Sequence, residues 1–311
     1  MHLIVAFAAP LQEGMPAAQA ALAAPALERL LARWAEVRRD EADASSLSPP
    51  HERAHAAALG LTGADGCLPW AAYRAAQDGI DVGGQVWGLL TPAHWRVGSD
   101  GVHLADPEAL ALAVDESRAL FDVVRPLFER EGYTMAWGAA LRWYAAHPSL
   151  QRLATASLDR AAGRNIAPWL PRQAEAKPLR RLQNEVQMLL HGHPLNAARE
   201  ATGRPAVNSF WLSACGVAQP TSAAGVQIDD RLRGPALRGD LAAWCASWRA
   251  LDEQEIAPLL AAAERGEPRR LTLCGERSSV ELAPRGRGWR QRVGQVFSPA
   301  RANARTVLES L

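Results

Sequence analysis

Residues 193–216 read HPLNAAREATGRPAVNSFWLSACG, and this stretch decides the fold. Residues 196–202 have the composition of a short helix, with Gly203 as its stop and Pro205 just beyond. Residues 207–212, VNSFWL, carry the aromatic and β-branched side chains of a buried strand. Immediately upstream, residues 178–190 (PLRRLQNEVQMLL) place Leu179, Leu182, Val186, Leu189 and Leu190 on one helical face. Pro178 suits the first turn of that helix because it has no N–H to satisfy. Gly192 and Pro194 end it. Helix, turn, strand is the rhythm of an α/β protein.

The bulk numbers agree with a globular chain. Its 311 residues suffice for one large domain or two smaller ones. With 34 basic and 33 acidic residues the net charge is +1, so no global field directs the chain to nucleic acid or to a membrane. No apolar run approaches the length of a membrane span. Residues 1–10, MHLIVAFAAP, lack a basic leader and read as a buried first strand rather than a signal peptide. Cys67, Cys215, Cys245 and Cys274 have no metal-motif spacing and read as reduced, mostly buried thiols of a cytoplasmic protein. The 11 tryptophans read as buried amphipathic aromatics.

Working outward, residues 17–38 are Ala-rich, with Leu27, Leu30, Leu31, Trp34 and Val37 on one side. They are expected to form an amphipathic helix broken near Pro25, followed by a polar linker over 39–46. From Val86 the texture changes to short strands (VWGLL, HWRV, GVHLAD). A helix over 115–130 and a hairpin over 133–144 complete a compact α+β unit. Residues 154–171 are expected to return the chain to the core. Residues 219–239 read as surface loops, and 240–264 as one long helix kinked at Pro258. Residues 270–274, RLTLC, read as the last core strand. The tail is locally basic around 285–292 and helical over 300–311.

The pattern His-Pro-x-Asn-x-x-Arg-x-x-x-Gly-x-x-x-x-Asn, here His193, Pro194, Asn196, Arg199, Gly203 and Asn208, resembles a signature of the archaeal-type cofactor-independent phosphoglycerate mutases. Those belong to the alkaline phosphatase superfamily. The whole chain also resembles the RpfE-type regulatory proteins. The resemblance implies an α/β fold: an alkaline-phosphatase-like core sheet flanked by helices, over residues 1–84 and 151–311, with an inserted α+β lid subdomain over 85–150. It implies ligand-facing roles for His193, Asn196, Arg199 and Asn208. Capping of turns and helices is the competing reading of His193, Asn196 and Asn208.

Set against that pattern, the catalytic positions are substituted. The first strand of the superfamily ends in a metal-binding Asp, but residues 3–10 hold no carboxylate. Aligning Ala54-His55 and Leu59-Gly60 with the nucleophile loop puts His51 on the phosphorylated Ser and Glu52 on the following Asp. Ser48 lies three positions out of register. Asp240 and Trp244 match the spacing of a metal-binding Asp and His. Where the mutases read Gly-Asp-His-Ser-Thr, this chain reads Gly275-Glu276-Arg277-Ser278-Ser279. Arginine has only donors and ligates no metal, yet it grips phosphate or carboxylate bidentately.

Residues 51–55 also fit H-E-x-x-H, the spacing by which His51 and His55 would share one zinc with Glu52 as general base. Placement in a first helical turn and the lack of a third ligand count against it. The reading is therefore a degenerate, metal-free phosphoglycerate-mutase-like protein that binds a small anionic ligand or a protein partner in a regulatory role. Arg53 and Arg277 join the four motif residues as ligand-binding candidates. The first alternative is an active phosphotransferase rebuilt around His51, Glu52 and Glu276, with Mn or Zn. The second is a zinc hydrolase using His51 and His55.

Overall fold

The computed structural model describes residues 1–11, 13–222, 225–285 and 303–311. In chain order it runs β1 (His2–Ala9), α1 (Met15–Ala20), α2 (Pro25–Arg33), β2 (Trp34–Glu41), α3 (Pro50–Leu59) and α4 (Trp70–Gln77). Next come β3 (Val86–Ala93), β4 (Trp95–Gly98), β5 (Gly101–Leu104), α5 (Val114–Arg130), β6 (Thr134–Ala139) and β7 (Arg142–Ala146). Then follow α6 (Leu158–Ala161), α7 (Lys177–Leu190), α8 (Pro194–Ala201), β8 (Ser209–Val217) and β9 (Val226–Asp229). The chain finishes with α9 (Arg233–Arg238), α10 (Leu241–Leu251), α11 (Ala257–Glu264), β10 (Arg270–Gly275), β11 (Ser278–Pro284) and α12 (Ala304–Glu309). Among the described residues no helix is long and apolar enough to cross a membrane.

The chain divides into two compact units. One comprises Met1–Ser45, Pro49–Gly60 and Ser222–Leu311; the other comprises Ser46–Ser48 and Leu61–Thr221.

The first unit is built on a five-stranded sheet in the order β2-β11-β10-β1-β9. β9, β1 and β10 run parallel, while β11 and β2 are antiparallel additions. Alternation along the strands gives the sheet two unlike faces. Leu3 and Val5 of β1, Leu271 and Leu273 of β10, and Val280 and Leu282 of β11 point into one core with α2, α10, α11 and α12. α3 packs against the same sheet. The other face carries polar side chains: His2, Arg270, Thr272, Ser279 and Glu281. The architecture is α/β, a central sheet flanked by helices.

The second unit is a four-stranded antiparallel sheet, β6-β7-β3-β8, with the separate β4–β5 hairpin. α5 and α7 bury Leu120, Phe121, Val124, Phe128, Leu179, Leu182 and Val186 against one face of that sheet. α4 offers Ala71, Ala72 and Ala75 to Trp87 and Tyr144 on the other.

Several expectations are corrected. Residues 34–41 form β2, not the end of a helix and a linker. Their alternation is masked by charge because β2 is a sheet edge, and edges carry charged side chains that oppose unwanted pairing. Residues 219–239 are not loop throughout, for β9 pairs with β1 and α9 follows it. The helix over 240–264 is interrupted by a π turn, Asp252–Ile256, and Pro258 sits harmlessly in the first turn of α11. The π turn aims Asp252 inward, where its two carboxylate oxygens accept from Ala26 N and Leu27 N at 2.8 Å each and so cap α2.

The inserted unit is wider than residues 85–150. β8 lies alongside β3 over nearly its whole length, and α7 packs beneath it, so 151–221 stays with the inserted sheet. Residues 61–84 join it through α4. The basic stretch beyond Arg285, residues 286–292, and the start of the tail helix at 300–302 lie outside the described residues.

Candidate functional site

The His193 motif folds as a set of ties within the second unit. His193 is the N-cap of α8, and its Nδ1 accepts from Leu195 N at 3.3 Å. Asn196 is 3% exposed. Its Nδ2 donates to Leu190 O at 3.0 Å and Val207 O at 2.8 Å, and its Oδ1 accepts from Val207 N at 2.9 Å. Thus one amide joins the end of α7, α8 and the approach to β8. Asn208 does the same for the β3–β4 corner, where Oδ1 accepts from Trp95 N at 2.7 Å and Nδ2 donates to Trp95 O at 2.9 Å.

Arg199 is 0% exposed. Its Nε donates to Pro205 O at 2.9 Å, Nη1 to Glu116 Oε2 at 2.7 Å, and Nη2 to Leu110 O. Gly203 has φ +72°, the left-handed stop that the sequence called for. Of the two readings stated above for His193, Asn196 and Asn208, these contacts are those of capping, and the buried polar groups of Asn196 and Arg199 are taken up within the unit. The polar groups of buried Asn196 and Arg199 meet main chain and Glu116, because a buried amide or guanidinium must be satisfied locally.

Glu116 is the electrostatic partner in this set. Burial opposes its ionisation, but the Ala113 N–H and the Arg199 and Arg204 guanidiniums hold its carboxyl below the usual range. Asp78 is held low in the same unit, chiefly by the hydrogen bond from Arg142, whose Nη2 donates at 2.7 Å. Ser48 is also occupied: its Oγ accepts from Gly66 N at 3.0 Å.

The remaining candidates lie in the first unit. β1 is bulged between Val5 and Ala9, and Phe7 adopts φ +56°. At this strand end, Trp244 Nε1 donates to Phe7 O at 3.1 Å and Trp248 Nε1 to Ala8 O at 3.3 Å. The residue at the spacing of a metal-binding His is thus an indole closing the end of β1. Asp240 caps α10, accepting from Ala243 N at 2.9 Å.

His51, in the first turn of α3, is 8% exposed, and its ring lies 5.3 Å from that of Phe7. Glu52, His55 and Glu276 are half-buried. Among the described residues, no three His, Cys, Asp or Glu side chains are grouped so as to hold a metal ion. The donor set therefore does not fit a two-metal centre, which needs carboxylate and imidazole ligands around each ion.

Arg53 and Arg277 are brought together. Arg53 Nε donates to Asp40 Oδ2 at 2.6 Å, and Nη2 donates to Arg277 O at 3.2 Å. The Arg277 side chain is exposed. Arg53 also lines an open groove of about 900 Å³ over the polar face of the sheet. The groove floor follows the strand register. Arg38 of β2 stands beside Glu281 of β11, which stands beside Thr272 of β10. His2 Nε2 lies 2.7 Å from Thr272 Oγ1, and burial pushes the imidazole below its usual pKa against the opposing pull of Glu281.

Five arginines line the groove (Arg38, Arg53, Arg269, Arg270, Arg285) against three carboxylates (Asp40, Glu267, Glu281). Asp40 pairs with Arg53 and Glu281 with Arg270, while Glu267 pairs with Arg269 and also with Arg265, which does not line the groove. Arg38 and Arg285 supply the excess positive charge.

Sequence reasoning overlooked this groove. The available signal was the alternation of polar and apolar residues in Arg270-Leu271-Thr272-Leu273 and Ser279-Val280-Glu281-Leu282. Asp229 was overlooked as well. It ends β9 and is gripped by Arg231, whose Nε donates to both carboxylate oxygens at 2.9 Å.

No family model matches the chain, and no curated protein matches it. Two solved structures are similar to it at a distance. One is a cofactor-independent phosphoglycerate mutase from Thermoplasma acidophilum DSM 1728, 14% identical, with 100% of this chain and 98% of that chain covered and a TM-score of 0.37. The other is the PH0037 protein from Pyrococcus horikoshii, 11% identical, with 92% of this chain and 87% of that chain covered and a TM-score of 0.43. At TM-scores of this size neither likeness fixes the chemistry of this chain.

Proposed function

We propose that this chain is a phosphoglycerate-mutase-like protein of the alkaline-phosphatase type that binds a small anionic ligand, phosphorylated or carboxylate, in a regulatory role and without a resident metal. The observation that carries the reading is the excess of arginine in the groove of the first unit. Guanidinium forks suit carboxylate and phosphate oxygens. Arg38 and Arg53 are the ligand-gripping candidates, with neutral His2 beside them as a hydrogen-bonding rather than charged group. The resemblance to the RpfE-type proteins supports the regulatory part. The indole at Trp244 and the guanidinium at Arg277, where a mutase places imidazoles, support the loss of phosphoryl transfer.

The test is calorimetric titration with 3-phosphoglycerate and with inorganic phosphate, alongside a turnover assay with added manganese and zinc. Binding without turnover is expected, weakened at least tenfold in Arg38→Gln. Metal-dependent turnover abolished by His51→Ala or Glu276→Gln would replace this reading with the rebuilt phosphotransferase.

A further inference from the structure

The free cations of the groove stand at two separate places on its floor. Arg38 of β2 lies opposite Glu281 of β11. Along β11, Glu281, Ala283 and Arg285 share the groove face, because successive side chains of a strand alternate. The ladder runs one residue past β11, where Arg285 N donates to Arg33 O at 3.3 Å. Four residues at the usual strand rise put Arg285 about 13 Å along the sheet from the level of Arg38. Both arginines are exposed, and among the described residues neither makes an ion pair. The Arg285 side chain makes one long contact, from Nη1 to Ala32 O at 3.5 Å.

The floor between these two levels has a different character. Glu281 is matched by Arg270, so the middle carries no net charge. Next to Glu281 stands the Thr272 hydroxyl, with His2 Nε2 2.7 Å from it. A carboxylate, a hydroxyl and an imidazole side by side suit the hydroxyl groups of a ligand and repel a phosphate placed there. Ala283 is the one floor side chain between Glu281 and Arg285 on β11, and it leaves the way across open. The groove, at about 900 Å³, has the size of clefts that hold drug-sized ligands, and a three-carbon phosphate ester would fill a small part of it. Among the described residues that line it there is no Phe, Tyr or Trp, so a nucleobase would find no ring to stack on.

We propose that the groove takes an elongated ligand with an anionic group at each end and hydroxyls between them, the class of the sugar bisphosphates, with Arg38 and Arg285 as its two end subsites. The inference rests on the anion-binding reading of the groove and adds to it a second subsite, a length and a polar middle. Each guanidinium grips one anionic end, and Thr272 and Glu281 meet the hydroxylated body.

The test is calorimetric titration of the full chain with fructose 1,6-bisphosphate, fructose 6-phosphate and pyrophosphate. The bisphosphate is expected to bind at least tenfold more tightly than either of the others, since pyrophosphate carries its charge in one place. Arg285→Gln should reduce the bisphosphate to the affinity of fructose 6-phosphate while changing fructose 6-phosphate itself less than threefold. Arg38→Gln should weaken the bisphosphate by a similar factor. Both side chains are exposed, so the variants keep the fold, and their melting temperatures check this. Equal affinity for bisphosphate and monophosphate, or an Arg285→Gln variant that weakens neither or both alike, overturns the two-ended ligand and leaves Arg38-dependent binding of a single anion standing. If none of the three compounds binds, the anion-binding reading of the groove fails, and this inference with it.

Discussion

The buried guanidinium of Arg199 places Nη1 2.7 Å from Glu116 Oε2, so a residue expected to face a ligand instead ties α8 to the start of α5. Three different acceptors surround that one cation: Glu116, Pro205 O and Leu110 O. Arg199→Leu leaves Pro205 O and Leu110 O without this donor and Glu116 with Arg204 and the Ala113 N–H, and is expected to cost about 3 kcal/mol. Arg199→Lys should recover little, since one ammonium cannot reproduce a fork. Urea denaturation checks the stability. Binding of 3-phosphoglycerate by the folded fraction should be unchanged, and a loss of affinity at full stability would reinstate Arg199 as a ligand residue.

Acid should weaken the second unit. The carboxyls of Glu116 and Asp78 are held below their ordinary range by the contacts described above. A carboxylate lowered on folding stabilises at pH above its unfolded value, and that contribution is lost as pH falls through the folded value. The melting temperature should therefore drop between about pH 5 and pH 3. Asp78→Asn should flatten part of that slope, and an equally steep profile in the variant would refute the assignment.

The cysteines should separate by reactivity. Burial pushes the Cys215 thiol up to about 12 and raises that of Cys274 further, and both side chains are buried. Neither should react with a disulfide reagent in the native protein at pH 8, because the thiolate is the nucleophile. All four thiols should titrate after denaturation. Rapid native labelling of Cys274, read by mass spectrometry, would contradict the burial.

Trp244→Phe removes the indole N–H from Phe7 O and leaves a small void at the end of β1. A loss of about 1–3 kcal/mol is expected from the hydrogen bond and the missing volume together. Thermal denaturation reads it. A neutral outcome would mean that the indole closes nothing there.

Much of the architecture could be read from periodicity. α5, α7 and β10 were visible because their apolar residues recur at the helix or strand spacing, and β1 and β8 because they are short apolar runs. β2 was not, since a charged edge strand such as Trp34–Glu41 looks like a polar linker. β9 was not, since Val226–Asp229 is only four residues between turn formers. The His193 motif was recognised, but its spacing left the ligand-facing and capping readings side by side. A spacing says which polar residues meet, not whether they meet main chain or a ligand. Asn196 and Arg199 meet main chain and Glu116 through residues 6 to 89 positions away in sequence, which no local pattern records. The groove was hidden for the same reason, as it is assembled from strands distant in sequence.

The central strand β1 imposes an order on synthesis. Its hydrogen-bonding neighbours, β9 and β10, begin at Val226 and Arg270, so when His2–Ala9 leaves the ribosome neither partner yet exists. The second unit, nearly contiguous between Leu61 and Thr221, is made before either partner. Closing such long loops is slow, because the chain loses entropy before any pairing rewards it. The growing chain therefore carries an unpaired apolar strand until Val226–Asp229 has been made. Holding that strand soluble is the step at which this fold depends most on its cellular surroundings.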